Sequence, residues 1–436
     1  MSLAMIGILG ILVLLAVLFL LGPPVGFAMG IVGFAGFAYV VSFDAALNMT
    51  GGTLWATFSK YGFTVIPLFI FMGQIAFYSG VNEKLYTAAH RTVGHISGGL
   101  AMATVAACTG FSAICGSNTA TAATMSTVAL PEMKRYRYNP MLSVGAVASG
   151  STLGVVIPPS VVLILIGLST EQSISTLFYG GIGAGFLLMA LLVLTVYAIC
   201  RVRPDWGPVG PNFAFGQKVM ALLGAYEIVV LFLLVIFGLY LGFFTPTEAG
   251  AAGSFFAIVL GLLHRKLTWK GFVSAVVDTL RASCMVITIV AGAVIFGKFL
   301  TVTRLPFDIA EWVVGLPVPG VVIIGIIFVI YILGGIVMDA LALLLITIPI
   351  FFPVGIELGY DPVWFGVAVT VLTTLGAITP PVGATTYVVA AMAKDDISLM
   401  GVFRGVALFV PAYIVCVILL MLFPKIVTFL PELMGG

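Results

Sequence analysis

Apolar stretches long enough to cross a bilayer recur along the whole chain, at about 3–22, 25–42, 64–80, 177–200, 219–241, 245–263, 273–300 and 402–423. A membrane-spanning helix needs about 20 consecutive apolar residues. These stretches leave little room for a water-facing surface: the chain is 61% hydrophobic and 8% charged, against roughly a quarter charged in soluble domains. Membrane-crossing strands would leave short alternating segments, and the sequence has none. The pattern predicts an all-α polytopic membrane protein without a soluble domain, its longest polar stretch (201–217) being a loop. Residues 1–22 lack a basic n-region and a cleavage site, so they read as a first span rather than a signal peptide. A formal charge of +2 suggests no nucleic-acid partner. Cys108, Cys115, Cys200, Cys284 and Cys416 are scattered through apolar runs and form no CxxC pair or disulfide framework.

Four further apolar regions are interrupted. Residues 98–130 break at Cys115-Gly116-Ser117-Asn118, and 141–168 break from Ser149 to Pro159. Residues 321–353 break from Gly334 to Asp339, and 363–393 break from Thr373 to Pro381. They form two pairs that align without gaps at a shift of 222 positions. Tyr138-Asn139-Pro140 falls on Tyr360-Asp361-Pro362, Leu153-Gly154 on Leu375-Gly376, Pro158-Pro159 on Pro380-Pro381, Pro131 on Pro353 and Pro24 on Pro246. Composition alone predicts roughly half of one proline coincidence where five occur, so the chain contains an internal repeat.

Charge gives the orientation of each copy. Lys134-Arg135-Tyr136-Arg137 is strongly basic, whereas the matching 357–361 segment has no Lys or Arg and two acids. The positive-inside rule puts the first loop in the cytoplasm and leaves the second free to lie outside. The clusters Arg201/Arg203/Lys218 and His264/Arg265/Lys266/Lys270 fit the same parity. An inverted-topology repeat follows, as in many secondary transporters. Parity is satisfied if 98–130 and 321–353 are re-entrant hairpins and 141–168 and 363–393 are broken helices, with both termini periplasmic.

Irregular backbone in hydrocarbon survives only where protein or a water-filled site satisfies its polar groups. Such breaks expose half-helix N-termini and bare carbonyls at mid-membrane. The first expected ion site combines Gly116, Ser117 and Asn118 with Gly154, Ile157 and Pro159. Na⁺ is a hard cation that takes oxygen ligands, by analogy with calcium. Helix capping explains Ser117 and Asn118 in isolation; the repeat favours an ion site. The second combines Met338 and Asp339 with Thr373, Thr374, Gly376 and Thr379. A carboxylate such as Asp339 inside an apolar run is costly and usually functional, though it can also cap the following helix. Ser149, Ser151, Thr152 and Thr370 are candidate substrate contacts, or small residues that help helices pack. Arg304 is a candidate attractor for a carboxylate, and Lys298 reads as a snorkelling residue at a span end. Asp278 and Arg281 form an i,i+3 pair, Glu248 sits at a helix start after Thr245-Pro246-Thr247, and Trp55, Phe58, Lys60 and Tyr61 suggest an interface segment.

The segments Phe243-Phe244-Thr245-Pro246-Thr247-Glu248-Ala249, Gly116-Ser117-Asn118-Thr119-Ala120, Leu153 to Pro159 and Gly376 to Pro381 resemble the large membrane subunit of the tripartite ATP-independent periplasmic (TRAP) transporters. The resemblance covers nearly the whole chain; Gly250 departs from a run of alanine. It implies an elevator-type transporter in a bacterial inner membrane. Residues 98–168 and 321–393 would form the transport domain, and 1–97, 169–320 and 394–436 the scaffold spans. It also implies partners: a small four-helix membrane subunit and a periplasmic substrate-binding protein that selects the cargo. That cargo would be sialic acid, a C4-dicarboxylate or another small organic carboxylate, coupled to Na⁺ with no other cofactor.

A stand-alone sodium–dicarboxylate symporter of the same kind of fold is the nearest alternative. An intramembrane enzyme would want a HExxH, a GxSxG or paired catalytic acids, and the sequence has none of them, so no catalytic residues are expected. A channel would not accumulate its cargo against a gradient.

Overall fold

The computed structural model describes residues 2–434 except Leu316, Asp339, Pro381, Val382, Lys394 and Asp395, and describes Val81, Asn82, Glu83, Ala310, Val313, Val314 and Val337 by backbone alone. All regular structure among the described residues is helical. The first half comprises α1 (Leu3–Leu21), α2 (Val25–Val40), α3 (Phe43–Ser59), α4 (Val65–Tyr78), α5 (Val81–Val93), α6 (Gly99–Cys115), α7 (Asn118–Arg135), α8 (Pro140–Ser151), α9 (Val161–Thr170) and α10 (Ile174–Val202). A connector helix, α11 (Phe215–Gly224), follows. The second half comprises α12 (Tyr226–Tyr240), α13 (Pro246–Leu263), α14 (Trp269–Val302), α15 (Leu305–Val314), α16 (Gly320–Val337), α17 (Ala340–Glu357), α18 (Pro362–Gly376), α19 (Ala384–Met392), α20 (Leu399–Ala407), α21 (Val410–Leu422) and α22 (Lys425–Leu433).

The repeat read from prolines reappears in the helix boundaries. α7 and α17 begin at residues 118 and 340 and end at 135 and 357; α8 and α18 begin at 140 and 362; α9 and α19 end at 170 and 392. Each pair is 222 positions apart. The repeated prolines have a local cause, because Pro140, Pro246 and Pro362 occupy the first helical position, where an N–H would be unpaired anyway. The residue before each caps the helix: Asn139 accepts from Met141 N at 2.9 Å, and Asp361 from Trp364 N at 2.8 Å. Thr245 and Glu248 cap one another reciprocally at the start of α13.

Among the described residues seven helices are long and apolar enough to cross a membrane, or eight if the bent pair α11–α12 counts as one span. The protein is therefore a polytopic helical membrane protein. The apolar run 219–241 is not the single straight span expected of it: Gly224 ends α11 and the chain turns by 52° before α12. At 16 residues, α2 falls short of a typical span. It lies against α14 with almost nothing between the backbones, since a Cβ on Gly26 would sit 2.7 Å from Thr288 O and one on Gly33 2.7 Å from Phe296 Cα. In lipid, where burial of apolar surface no longer drives association, small residues permit this close packing. On α3, Trp55 and Phe58 are exposed as an interface segment requires. Asp278 accepts a hydrogen bond from the Tyr78 hydroxyl at 2.7 Å, shorter than its 3.9 Å contact with Arg281.

One charge cluster escaped the sequence reading. Glu227, in the first turn of α12, is buried with 3% of its side chain exposed, and it meets Lys84 Nζ at 2.6 Å and His264 Nε2 at 2.8 Å. It ties α5 and α12 to the end of α13. Removing one partner of a buried pair leaves uncompensated charge. Glu227→Ala is therefore expected to destabilise the protein by about 3 kcal/mol, read as a lower midpoint of thermal unfolding in detergent, with Glu227→Gln milder. An unchanged midpoint in Glu227→Ala would remove this role.

Candidate functional site

Only Gly116 and Ser117 separate α6 from α7. Gly116 has φ 61° and ψ 17°, a left-handed conformation that favours glycine and ends helices. Ser117 caps α7, its hydroxyl accepting from Ala120 N at 3.5 Å. Facing this tip is the interruption in the next helix. After α8 the chain makes a 3₁₀ turn over Thr152–Val155 and does not resume an α-helix until Val161. Pro158 and Pro159 lie in that gap. They have no N–H to offer Gly154 and Val155, four residues upstream. The Ser160 hydroxyl replaces one missing donor by bonding Val155 O at 2.5 Å. The two interruptions meet through their backbones: a Cβ on Gly154 would lie 2.8 Å from Ser117 C, and one on Gly116 would lie 2.6 Å from Pro159 O. Asn118 Oδ1 is buried here without a hydrogen-bond partner. The Ile157 side chain packs toward Gly185 of α10, which leaves its backbone for the site.

The second half repeats the arrangement with different residues. α16 ends at Val337, Met338 is extended (φ −129°, ψ 157°), and α17 begins at Ala340. Asp339 lies between them, outside the described residues. Gly376 ends α18, and a Cβ there would overlap the backbone of Gly335. Thr379 follows, its hydroxyl bonding Leu375 O at 3.1 Å. The opening of α19 is stitched to this break by Thr385 N, bonded to Ala377 O at 3.1 Å, and by the Thr386 hydroxyl, bonded to Ile378 O at 2.8 Å. Neither Thr385 nor Thr386 was legible as part of a site, because their contact spans the break.

The hydroxyls are oriented by their own helices. Thr370 donates to Gly366 O at 2.8 Å, Thr373 to Thr370 O at 2.8 Å and Thr374 to Val371 O at 2.5 Å. A hydroxyl whose hydrogen points into the backbone still presents lone pairs on its other side. Ser151 and Thr152 are the counterparts of Thr373 and Thr374 at the 222-residue shift, and they behave alike: Ser151 donates to Val147 O at 2.6 Å and Thr152 to Ser149 O at 2.7 Å. Tyr413 of α21, which sequence reasoning missed, completes this cluster by bonding Ser149 O at 2.9 Å and Thr152 Oγ1 at 2.7 Å. The Ser149 hydroxyl is buried and unpartnered. Arg304 belongs to neither break; it occupies the turn between α14 and α15 with φ 61°.

Carbonyl, amide and hydroxyl oxygens are thus the donor chemistry on offer. Among the described residues no three His, Cys, Asp or Glu side chains gather as transition-metal ligands would. Oxygen donors of this kind suit a hard cation.

Fold and interruptions together define a helical membrane transporter with two copies of a broken-helix unit. The chain belongs to the family described as "Tripartite ATP-independent periplasmic transporter, DctM component", whose model matches residues 12–426. It is 31% identical over 383 residues to the C4-dicarboxylate TRAP transporter large permease protein DctM of Pseudomonas aeruginosa, covering 88% of this chain and 89% of that one. It is 30% identical over 417 residues to the sialic acid TRAP transporter large permease protein SiaM of Vibrio cholerae, covering 95% and 96%. Among solved structures, the YdaH transporter of Alcanivorax borkumensis superposes with a TM-score of 0.60 at 16% identity over 91% of this chain and 90% of that one, a likeness of fold. The chain is a transporter permease and not an enzyme.

The backbone contacts at Gly154 and Gly376 leave no room for a methyl group. Gly154→Ala and Gly376→Ala are each expected to cost about 1–3 kcal/mol and to lower the thermal midpoint. The control, Gly51→Ala, has open space around it and should leave the midpoint unchanged or slightly higher. Equal midpoints in all three variants would remove the claim of close approach.

Proposed function

We propose that this chain is the Na⁺-coupled large permease of an importer for small organic carboxylates, served by a periplasmic binding protein and a small four-helix membrane subunit. The observation that carries this reading is a close backbone approach at the broken helix of each half, Gly154 on Ser117 and Gly376 on Gly335 near the end of α16. Each approach brings two segments together at a break, so an ion bound there would hold the segments together. Gly116, Ser117, Asn118, Gly154, Ile157 and Pro159 would line one Na⁺ site. Met338, Asp339, Thr373, Thr374, Gly376 and Thr379 would line the other. The equivalence of Ser151 and Thr152 with Thr373 and Thr374 favours an ion-site role for Ser151 and Thr152 over the substrate contact expected of them.

In this reading the two halves are inverted, α6–α7 and α16–α17 are re-entrant hairpins, and α8–α9 and α18–α19 are broken crossing helices. Together these form a transport domain that moves as an elevator against the remaining spans. The basic segments at 134–137 and 264–266 face the cytoplasm of a bacterial inner membrane. The C4-dicarboxylate and sialic acid carried in the names of the two relatives set the cargo class, an organic carboxylate. The driving force is adequate. One charge falling through a potential of about 100 mV releases about 2.3 kcal/mol, and a tenfold gradient adds about 1.4 kcal/mol. Two Na⁺ therefore supply roughly 7 kcal/mol, part of which an anionic cargo would cancel.

Reconstitution with the small subunit and a cognate binding protein is expected to give uptake that requires a Na⁺ gradient. Uptake without any binding protein would instead select a stand-alone symporter. Loss of one oxygen ligand is worth about 1.4 kcal/mol for a tenfold weaker site, so Ser117→Ala and Thr373→Val should each raise the half-saturating Na⁺ concentration about tenfold. Unaltered Na⁺ dependence in both variants would count against these sites.

A further inference from the structure

Away from both breaks, a cavity of about 410 Å³ opens between α3 and α14 on one wall and α9 and α17 on the other. Its volume falls in the range of small-molecule sites, about 300–1,000 Å³. Two lysines line it, Lys298 on α14 and Lys60 at the end of α3, and no Asp or Glu does. Lys298 is exposed on α14, yet its head group does not run along its own helix as a snorkelling residue's would. Its ammonium donates instead to the hydroxyl of Thr53 on α3 at 2.8 Å. Thr53 is buried, and its own hydrogen goes to Met49 O at 2.6 Å, which fixes it as the acceptor. An ammonium has three hydrogens to donate, and Lys298 forms no ion pair with a described residue. Thr57, Ser169 and Thr301 also line this space. A positive charge in a cavity among apolar helices, with free donors and no protein anion lining the space, attracts an external one.

The surroundings sharpen this. A neighbouring cavity of about 460 Å³ shares Thr301 and Pro349 with the first but carries Glu311 and Glu357. The acidic lining of the neighbouring cavity disfavours an anion there and leaves the lysine-lined cavity as the better place for one. Lys298 lies 29 residues along α14 from Trp269, on the order of 40 Å at 1.5 Å per residue. The basic cluster at 264–266 is at the opposite end of that helix.

We propose that Lys298, with Lys60 at the rim, is an anion-binding site on the scaffold wall that holds the carboxylate of the cargo on the side remote from the basic loops. The proposal rests on the carboxylate-import reading above. Because one wall belongs to α3 and α14 and the other to α9 and α17, an anion held there contacts both parts that the elevator reading sets in relative motion. Lys298 and not Arg304 then takes the role of carboxylate attractor.

The test is thermal unfolding of the purified chain in nanodiscs at fixed Na⁺, titrated with succinate, N-acetylneuraminate or gluconate, with succinamide as the uncharged control. At least one of the anions is expected to raise the midpoint of the wild type, and succinamide is not. Lys298→Gln should raise the half-saturating anion concentration at least tenfold, Lys298→Arg should stay within about threefold of wild type, and Lys60→Gln should show a weaker loss. Variants whose midpoints without anion match the wild type exclude a folding defect; should Lys298→Gln fall short, Lys298→Arg and Lys60→Gln carry the comparison. Equal half-saturation in Lys298→Gln and wild type, or no anion response in the wild type, overturns the site. Uptake by reconstituted Lys298→Gln with an unchanged KM also overturns the site while leaving the import reading intact. Failure of wild-type uptake with Na⁺ and binding protein present, alongside a retained anion response, overturns the import reading and leaves the anion site standing.

Discussion

Backbone N–H and C=O groups inside hydrocarbon must find partners within the protein, and each one left bare costs several kcal/mol. That constraint makes the chain helical almost throughout and makes its few interruptions conspicuous. Each broken helix here is buried against other backbone: the turn at Gly116-Ser117 lies on the gap after Gly154, and the end of α18 at Gly376 lies on Gly335 in the last turn of α16. The breaks are covered because a bare one would face lipid with nothing to satisfy it. What they leave incompletely satisfied, including Asn118 Oδ1, is the oxygen surface on which the proposed ion chemistry depends.

The same economy explains how little charge the chain carries, 8% of its residues. Two of its charged groups are handled in opposite ways. Glu227 is buried, paired with Lys84 and in contact with His264, which makes it a structural tie between helices. Among the described residues Lys298 has a neutral hydroxyl and no acid for a partner, and it lines a cavity without acidic groups. A neutralised buried charge holds helices in place; one left without a counter-charge invites a ligand. This contrast, more than proximity to a helix end, separates Lys298 from the snorkelling residue suggested by its position in the sequence.

Internal symmetry also refines the assignment of roles. Read linearly, Ser149-Gly150-Ser151-Thr152 and Thr373-Thr374 look like different features, one a hydroxyl-rich patch and the other part of an acidic site. At the 222-residue shift Ser151 and Thr152 match Thr373 and Thr374, and all four donate their hydrogens to carbonyls of their own helices. Tyr413 adds a bond to Thr152, so the two copies have diverged around a common framework.

The sequence by itself determined the membrane class, the repeat and the positions of the breaks. These follow from composition, from prolines at helix starts and from glycines at helix ends, all of which act within a few residues along the chain. It could not reveal the bend between α11 and α12, the Glu227 cluster, the parts played by Tyr413 and Thr386, or the cavity at Lys298. The Glu227, Tyr413 and Lys298 contacts join side chains and helices far apart in the chain, while Thr386 reaches back across a break and the bend falls within one apolar run. Hydropathy records that a segment prefers lipid to water, but not which neighbour it faces, because in lipid every apolar helix face is equally well solvated and only packing and polar pairing choose between partners.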